Sequence, residues 1–152
     1  MKKQLLLILT ALMLSLGASA QMVLQFDTNL SDGTTVTLPL YGPVNVTVDW
    51  GDGSSNTYTT AGNKNHTYAT EGVYTVEISG SLTQFGNGFT ATPNIDKLVG
   101  VTSFGDIGLT SLHGAFIDAI NLIEVPTIFP ATVNSTAAMF YGCENFNYDI
   151  GE

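Results

Sequence analysis

The chain has 152 residues, 4 Lys+Arg against 13 Asp+Glu, a formal net charge of -9, and only 11% charged residues, under half the globular norm of about 25%. It contains no arginine, which argues against a nucleic-acid partner, because phosphate binding needs clustered Lys and Arg; an anionic membrane surface is disfavoured likewise. The single cysteine, Cys143, cannot form an internal disulfide, and with two separated histidines, His66 and His113, it supplies no zinc-ligand spacing.

Residues 1–20 read as a signal peptide. Lys2 and Lys3 precede an apolar stretch from Leu5 to Leu16, and Gly17-Ala18-Ser19-Ala20 places small residues where signal peptidase reads. About a dozen apolar residues fall short of the roughly 20 needed to span a bilayer. Cleavage is expected after Ala20, and no cysteine lies nearby to accept a lipid. Removal of Lys2 and Lys3 leaves 2 Lys against 13 acids, a balance of 2 - 13 = -11. The expected location is the secreted fraction or the cell surface, with no membrane span in the mature chain.

From Gln21 to about Phe85 the pattern is that of short strands. Val44, Val46, Val48 and Trp50 alternate with Asn45, Thr47 and Asp49, a period of 2 that predicts a strand with one buried face. Val36, Leu38 and Leu40 repeat the pattern, although Pro39 lacks a ladder donor and suggests a sheet edge. Leu24 and Phe26, then Tyr58, then Tyr74, Val76 and Ile78 continue it, with turns at Ser31-Asp32-Gly33, Gly51-Asp52-Gly53-Ser54, Gly62-Asn63 and Glu71-Gly72. Short strands rich in Thr, Val and Tyr, without intervening helices, predict a mainly β fold built as an antiparallel sandwich over residues 21–92.

Val48-Asp49-Trp50-Gly51-Asp52-Gly53, then His66-Thr67-Tyr68 and Gly72-Val73-Tyr74-Thr75-Val76, resemble the PKD-type immunoglobulin-like domain, with its GDG turn and HxY and GxYxV strands. The stretch is one residue shorter than the usual pattern between Trp50 and the GDG turn. In the turn itself, Gly51 and Gly53 permit backbone angles closed to other residues, and Asp52 can accept turn amides. The resemblance also implies calcium as an alternative role for Asp49 and Asp52, since some PKD-like domains bind it. Two carboxylates leave most of calcium's six to eight positions unfilled, so turn stabilisation is the expectation. Trp50 and Tyr74 could form a sugar-stacking platform, but Trp50 ends an apolar face and is expected in the core.

After Pro93 the apolar spacing becomes irregular. Leu109 to Leu122 overlays Val133 to Phe146 at an offset of 133 - 109 = 24, matching Ser111 with Ser135, Phe116 with Phe140, and Asn121 with Asn145. That offset lies within the 20 to 29 residues of a leucine-rich repeat. Met139 to Gly151, reading MFYGCENFNYDIG, resembles the signature of BspA-like leucine-rich repeats. Residues 93–152 are thus read as an incomplete repeat array. Phe116, Leu122, Phe140 and Phe146 would form its interior, with Cys143 a small filler and Asn121 and Asn145 bonding backbone of the following coil. His113 is the only candidate base for Cys143. About two repeats, where at least three are usual, suggest an N-terminal fragment or an array capped by the sandwich.

No catalytic or cofactor-binding pattern is visible, and the chain is read as non-enzymatic. The expectation is a secreted or cell-surface binding and adhesion protein for an extracellular protein or glycan, its sandwich a spacer and its repeats the binding face. The alternative is an accessory glycan-binding or spacer portion of a larger secreted hydrolase. Asn45, Asn65 and Asn134 each open an N-x-S/T triplet.

Overall fold

A computed structural model describes residues 21–147; the expected signal peptide and the last part of the BspA-like signature, from Tyr148, lie outside them. The protein is mainly β. Among the described residues its strands are β1 (Met22–Asp27), β2 (Thr35–Asp49), β3 (Ser55–Tyr58), β4 (Gly62–Thr67), β5 (Val73–Phe85) and β6 (Leu98–Ser103), with one 3-10 turn at Ile95–Lys97. All strand pairs are antiparallel, in one open sheet ordered β3-β2-β5-β1-β6, with β4 also paired to β2.

The long β2 strand organises this sheet. Its first part, Thr35 to Leu40, pairs with β4, from Thr35 opposite Thr67 to Leu40 opposite Gly62. Its second part lies between β3 and β5, and a register shift between Tyr41 and Val44 separates the two. Gly42-Pro43 occupies that shift, where an extra residue bends a strand. Pro39 sits where its missing donor costs nothing. Its carbonyl accepts the Gly86 amide, so its nitrogen faces the same side, just past the end of β5 and away from β4.

Alternation does what period 2 requires. Val44, Val46, Val48 and Trp50 are buried while Asn45, Thr47 and Asp49 are exposed. On the first part of β2 both faces are covered, and buried Thr37 donates from Oγ1 to Asn65 Oδ1 at 2.9 Å and accepts from Asn94 Nδ2 at 3.3 Å. Strand β5 runs beyond Ile78 to Phe85, because β2 offers it pairing partners along that whole length.

Beyond β6 the chain winds into stacked coils. Parallel bridges join Gln84 to Ser111 and Ser111 to Ser135, and another joins Gly100 to Glu124. Leu112, Gly114, Phe116 and Asp118 donate in turn to the carbonyls of Ser135, Ala137, Met139 and Tyr141. The 24-residue register of Ser111 and Ser135 is therefore a main-chain contact. Strand β5 supplies the first rung, since Leu82 and Phe85 donate to Ile107 and Ser111.

One continuous hydrophobic cluster runs from Met22 through Trp50, Phe85 and Phe116 to Met139. Strand β6, beyond the boundary expected at residue 92, pairs with β1 and carries buried Leu98 and Val101 into that cluster. Of the interior expected from the repeats, Phe116 and Leu122 are fully buried, whereas Phe140 and Phe146 are partly buried. The coil carrying them has a packed neighbour on one side only among the described residues. Among those residues no helix is long and apolar enough to cross a membrane.

Candidate functional site

The candidate residues singled out in the sequence fall in two places. The first is the turn between β2 and β3. Asp49 Oδ1 accepts the Gly51 amide at 2.9 Å, and Asp52 Oδ1 accepts the Ser54 amide at 2.9 Å and the Ser54 hydroxyl at 2.6 Å. Gly51 adopts φ 78, and a Cβ there would stand 2.3 Å from the Thr75 carbonyl oxygen, so both the angle and the space demand glycine.

His66, on β4, faces this turn. Its Nε2 lies 2.8 Å from Asp52 Oδ2, and its ring stacks on Trp50 with centroids 4.6 Å apart. The Ser54 hydroxyl, followed by His66, holds the Asp52 carboxyl down at about 2. Trp50 is fully buried, with Nε1 donating to Asn56 Oδ1 at 2.8 Å. It is a core residue with a satisfied donor and presents no stacking platform. Tyr68 donates to the Trp50 carbonyl at 2.8 Å, and burial raises its phenol above the usual range. Tyr74 stacks on Tyr68 with centroids 3.6 Å apart. Among the described residues no three His, Cys, Asp or Glu side chains converge to hold a metal ion.

The second place is the coil stack. Cys143 Sγ donates to the Phe116 carbonyl at 3.0 Å, and burial pushes its thiol up to about 11. A thiol so placed is a small packed hydrophobe rather than a nucleophile. His113 packs against Phe89 instead, ring edge to face with centroids 4.5 Å apart. Asn121 differs from expectation. Its amide donates to the Asp96 carbonyl at 2.7 Å, reaching back to the preceding turn instead of the following coil. The Asn145 side chain makes no hydrogen bond among the described residues, although its backbone amide reaches Ile120.

The surface of the stack is where aromatic groups meet solvent. Tyr141 and Ile128 are 72% and 83% exposed, and Phe89, on the loop after β5, is 80% exposed. A cavity of about 550 Å³ opens among Phe129, Thr136, Ala138, Met139, Phe140 and Tyr141. Such volumes fall within the roughly 300–1,000 Å³ of small-ligand and side-chain sites. Nothing in residues 125–143 is charged, and the cavity lining is mostly apolar, with Thr136 its one hydroxyl-bearing side chain besides Tyr141. Sequence reasoning did not find Phe89 or Tyr141, because neither belongs to an apolar period.

Compared with known proteins, the chain matches no family model, no curated protein and no solved structure.

Proposed function

We propose that this is a secreted or cell-surface protein that binds an extracellular partner through its coil stack and does no chemistry itself. On this reading residues 21–92 are a PKD-like, immunoglobulin-type sandwich acting as spacer, and residues 93–152 belong to an array of BspA-like leucine-rich repeats. The Asp52 turn and the parallel Ser111–Ser135 register support the two halves of that reading. The observation that carries it furthest is the cavity lined by Phe129, Met139, Phe140 and the strongly exposed Tyr141, since an open apolar pocket beside an exposed aromatic ring marks interaction sites. Residues 1–20 act as the export signal.

The test has two arms. Expression in an exporting host, followed by N-terminal sequencing of the extracellular product, is expected to return Gln21 as the first residue. Surface plasmon resonance against extracellular-matrix proteins and a glycan array is expected to give binding that Tyr141→Ala weakens. Retention of the protein inside the cell, or no binding in either format, refutes the reading. Binding confined to glycans would favour an accessory glycan module instead.

A further inference from the structure

A second cavity, about 430 Å³ in volume, is lined by Phe89, Ala91, Ile117, Asp118, Ala138 and Tyr141. Its walls come from separate segments: the loop after β5, one coil, and the next. Phe89 and Tyr141 are the strongly exposed aromatic rings of the cleft, and Asp118 is its only charged side chain. The Asp118 carboxylate has no hydrogen bond or ion pair among the described residues. We infer that this cleft binds a cationic side chain, Arg or Lys, presented by a basic extracellular peptide or protein. The inference deepens the binding reading above and rests on it.

Charge complementarity favours that occupant. The chain carries a net charge of -9, and such a field attracts cations and repels anions. Beyond residue 20 the sequence has two cations, Lys64 and Lys97. Lys97 is buried, and Lys64 sits 5.4 Å from the Tyr58 ring centroid, already over an aromatic face of its own. Among the described residues neither lysine serves the Asp118 cleft, and the nearest imidazole, His113, packs edge to face with Phe89 rather than pairing with Asp118. An aromatic ring presents a negative face to a cation, and a guanidinium can at the same time pair with a carboxylate.

The cleft is also held in shape before any ligand arrives. Asp118 and Ala138 are two of the three non-glycine residues with positive φ among the described residues, at 61 and 52. Such angles persist only where surrounding structure enforces them, and they cluster at binding sites. Here the Asp118 amide donates to the Tyr141 carbonyl at 2.8 Å and the Tyr141 amide to the Ala138 carbonyl at 3.2 Å. On the opposite wall, a Cβ at Gly114 would fall 1.6 Å from the Gly88 oxygen. Only glycine lets the Phe89 loop lie so close to the coil. Preorganised walls reduce the ordering cost of binding.

The test uses the full-length exported protein and a fluorescein-labelled peptide of four arginines, with the matching citrulline peptide as a neutral isostere. Fluorescence anisotropy is expected to show binding of the arginine peptide alone. Asp118→Asn should weaken it about tenfold, as expected for a hydrogen-bonded charge, and Asn tolerates positive φ as well as Asp does. Phe89→Ala and Tyr141→Ala should each weaken it about 2- to 5-fold. Glu71→Gln removes an equal charge at the far end of β5 and should change binding by less than about twofold. Unchanged emission of the sole tryptophan, Trp50, checks that each variant is folded.

An equal effect of Glu71→Gln and Asp118→Asn would overturn the inference, leaving bulk charge as the cause. Equal binding of the citrulline peptide, or displacement by a neutral sugar, would overturn it in favour of an uncharged ligand. No peptide binding would also overturn it. A partner found by surface plasmon resonance whose binding all three cleft variants leave intact would sink the cleft while sparing the broader reading.

Discussion

Phe116 ties the sheet to the coils, and its truncation measures whether they fold as one. The side chain is fully buried, 6.0 Å by ring centroid from Phe85 on β5 and 5.9 Å from Phe140 in the next coil. Phe116→Ala leaves a cavity with walls on both sides and is expected to cost about 3–5 kcal/mol. For roughly 130 folded residues at about 2.1 cal/mol/K each, the unfolding entropy is about 0.27 kcal/mol/K. A loss of about 4 kcal/mol then lowers Tm by about 15 °C. Two probes report from opposite ends: Trp50 emission from the sheet and Cys143 thiol labelling from the coils. Because the hydrophobic cluster is continuous, both transitions should fall together in wild type and shift together in the variant. If the Trp50 transition stays in place while the Cys143 transition moves, sheet and coils are independent units and the argument from a shared core fails.

Four further outcomes follow from single groups. Asp52→Asn should cost about 0.5–1 kcal/mol near neutral pH, because the turn is largely exposed and its contacts are screened. Since the Asp52 carboxyl is held at about 2, below its ordinary 3.8, that contribution is present above the ordinary value and lost as pH falls through about 2, so urea melts of wild type and variant should converge in acid. Lys97, buried with Nζ donating to Ser31 Oγ at 2.8 Å and the Asp32 carbonyl at 3.2 Å, should resist acylation that modifies Lys64, and Lys97→Ala should cost about 2–4 kcal/mol in a thermal melt. Cys143, with its thiol raised from 9.0 to about 11, should carry about 100-fold less thiolate near neutral pH than an ordinary thiol and alkylate correspondingly slowly; its contribution to stability is present below about 9 and lost as pH rises through about 11. Calcium titration should give no calorimetric heat and no change in Tm, because Asp49 Oδ1 and Asp52 Oδ1 already accept turn amides.

Strands β1, β2 and the first part of β5 were legible because burial on one face writes itself into every second residue, as in Val44 to Trp50. Strand β6 fell in the stretch read as repeats, and β4 was not legible, since Gly62-Asn63, read as a turn, opens that strand opposite Leu40 and Pro39 and GNKNHT has no apolar residue. The run of β5 past Ile78 was not, since Ser79-Gly80-Ser81 carries no apolar alternation and is held in line by β2 opposite it. The coil register could be read from Ser111 and Ser135, but only as a correspondence of positions. That Gln84 joins the same ladder had no counterpart in the sequence, because the first rung is borrowed from a strand of the sheet. The cleft was illegible for a related reason. Phe89, Asp118 and Tyr141 lie on separate segments and share no period, so only the stacking of coils brings them together.

That stacking also explains why a rigid cleft can exist on a surface without regular strands. An isolated coil of this kind has no lateral partners and would leave its backbone groups to water. Here β5 hydrogen-bonds the coil containing Ser111, which in turn hydrogen-bonds the coil containing Ser135. The sheet therefore templates the coils, and buried Phe116 and Leu122 fix the distance between them. Phe89 is attached to the end of the templating strand and Tyr141 to the second coil, so the cleft spans that whole ladder. Its width is set by main-chain hydrogen bonds and core packing rather than by the flexible ends of its own side chains. A partner that inserts a side chain there would read the spacing of the coils as well as the charge of Asp118.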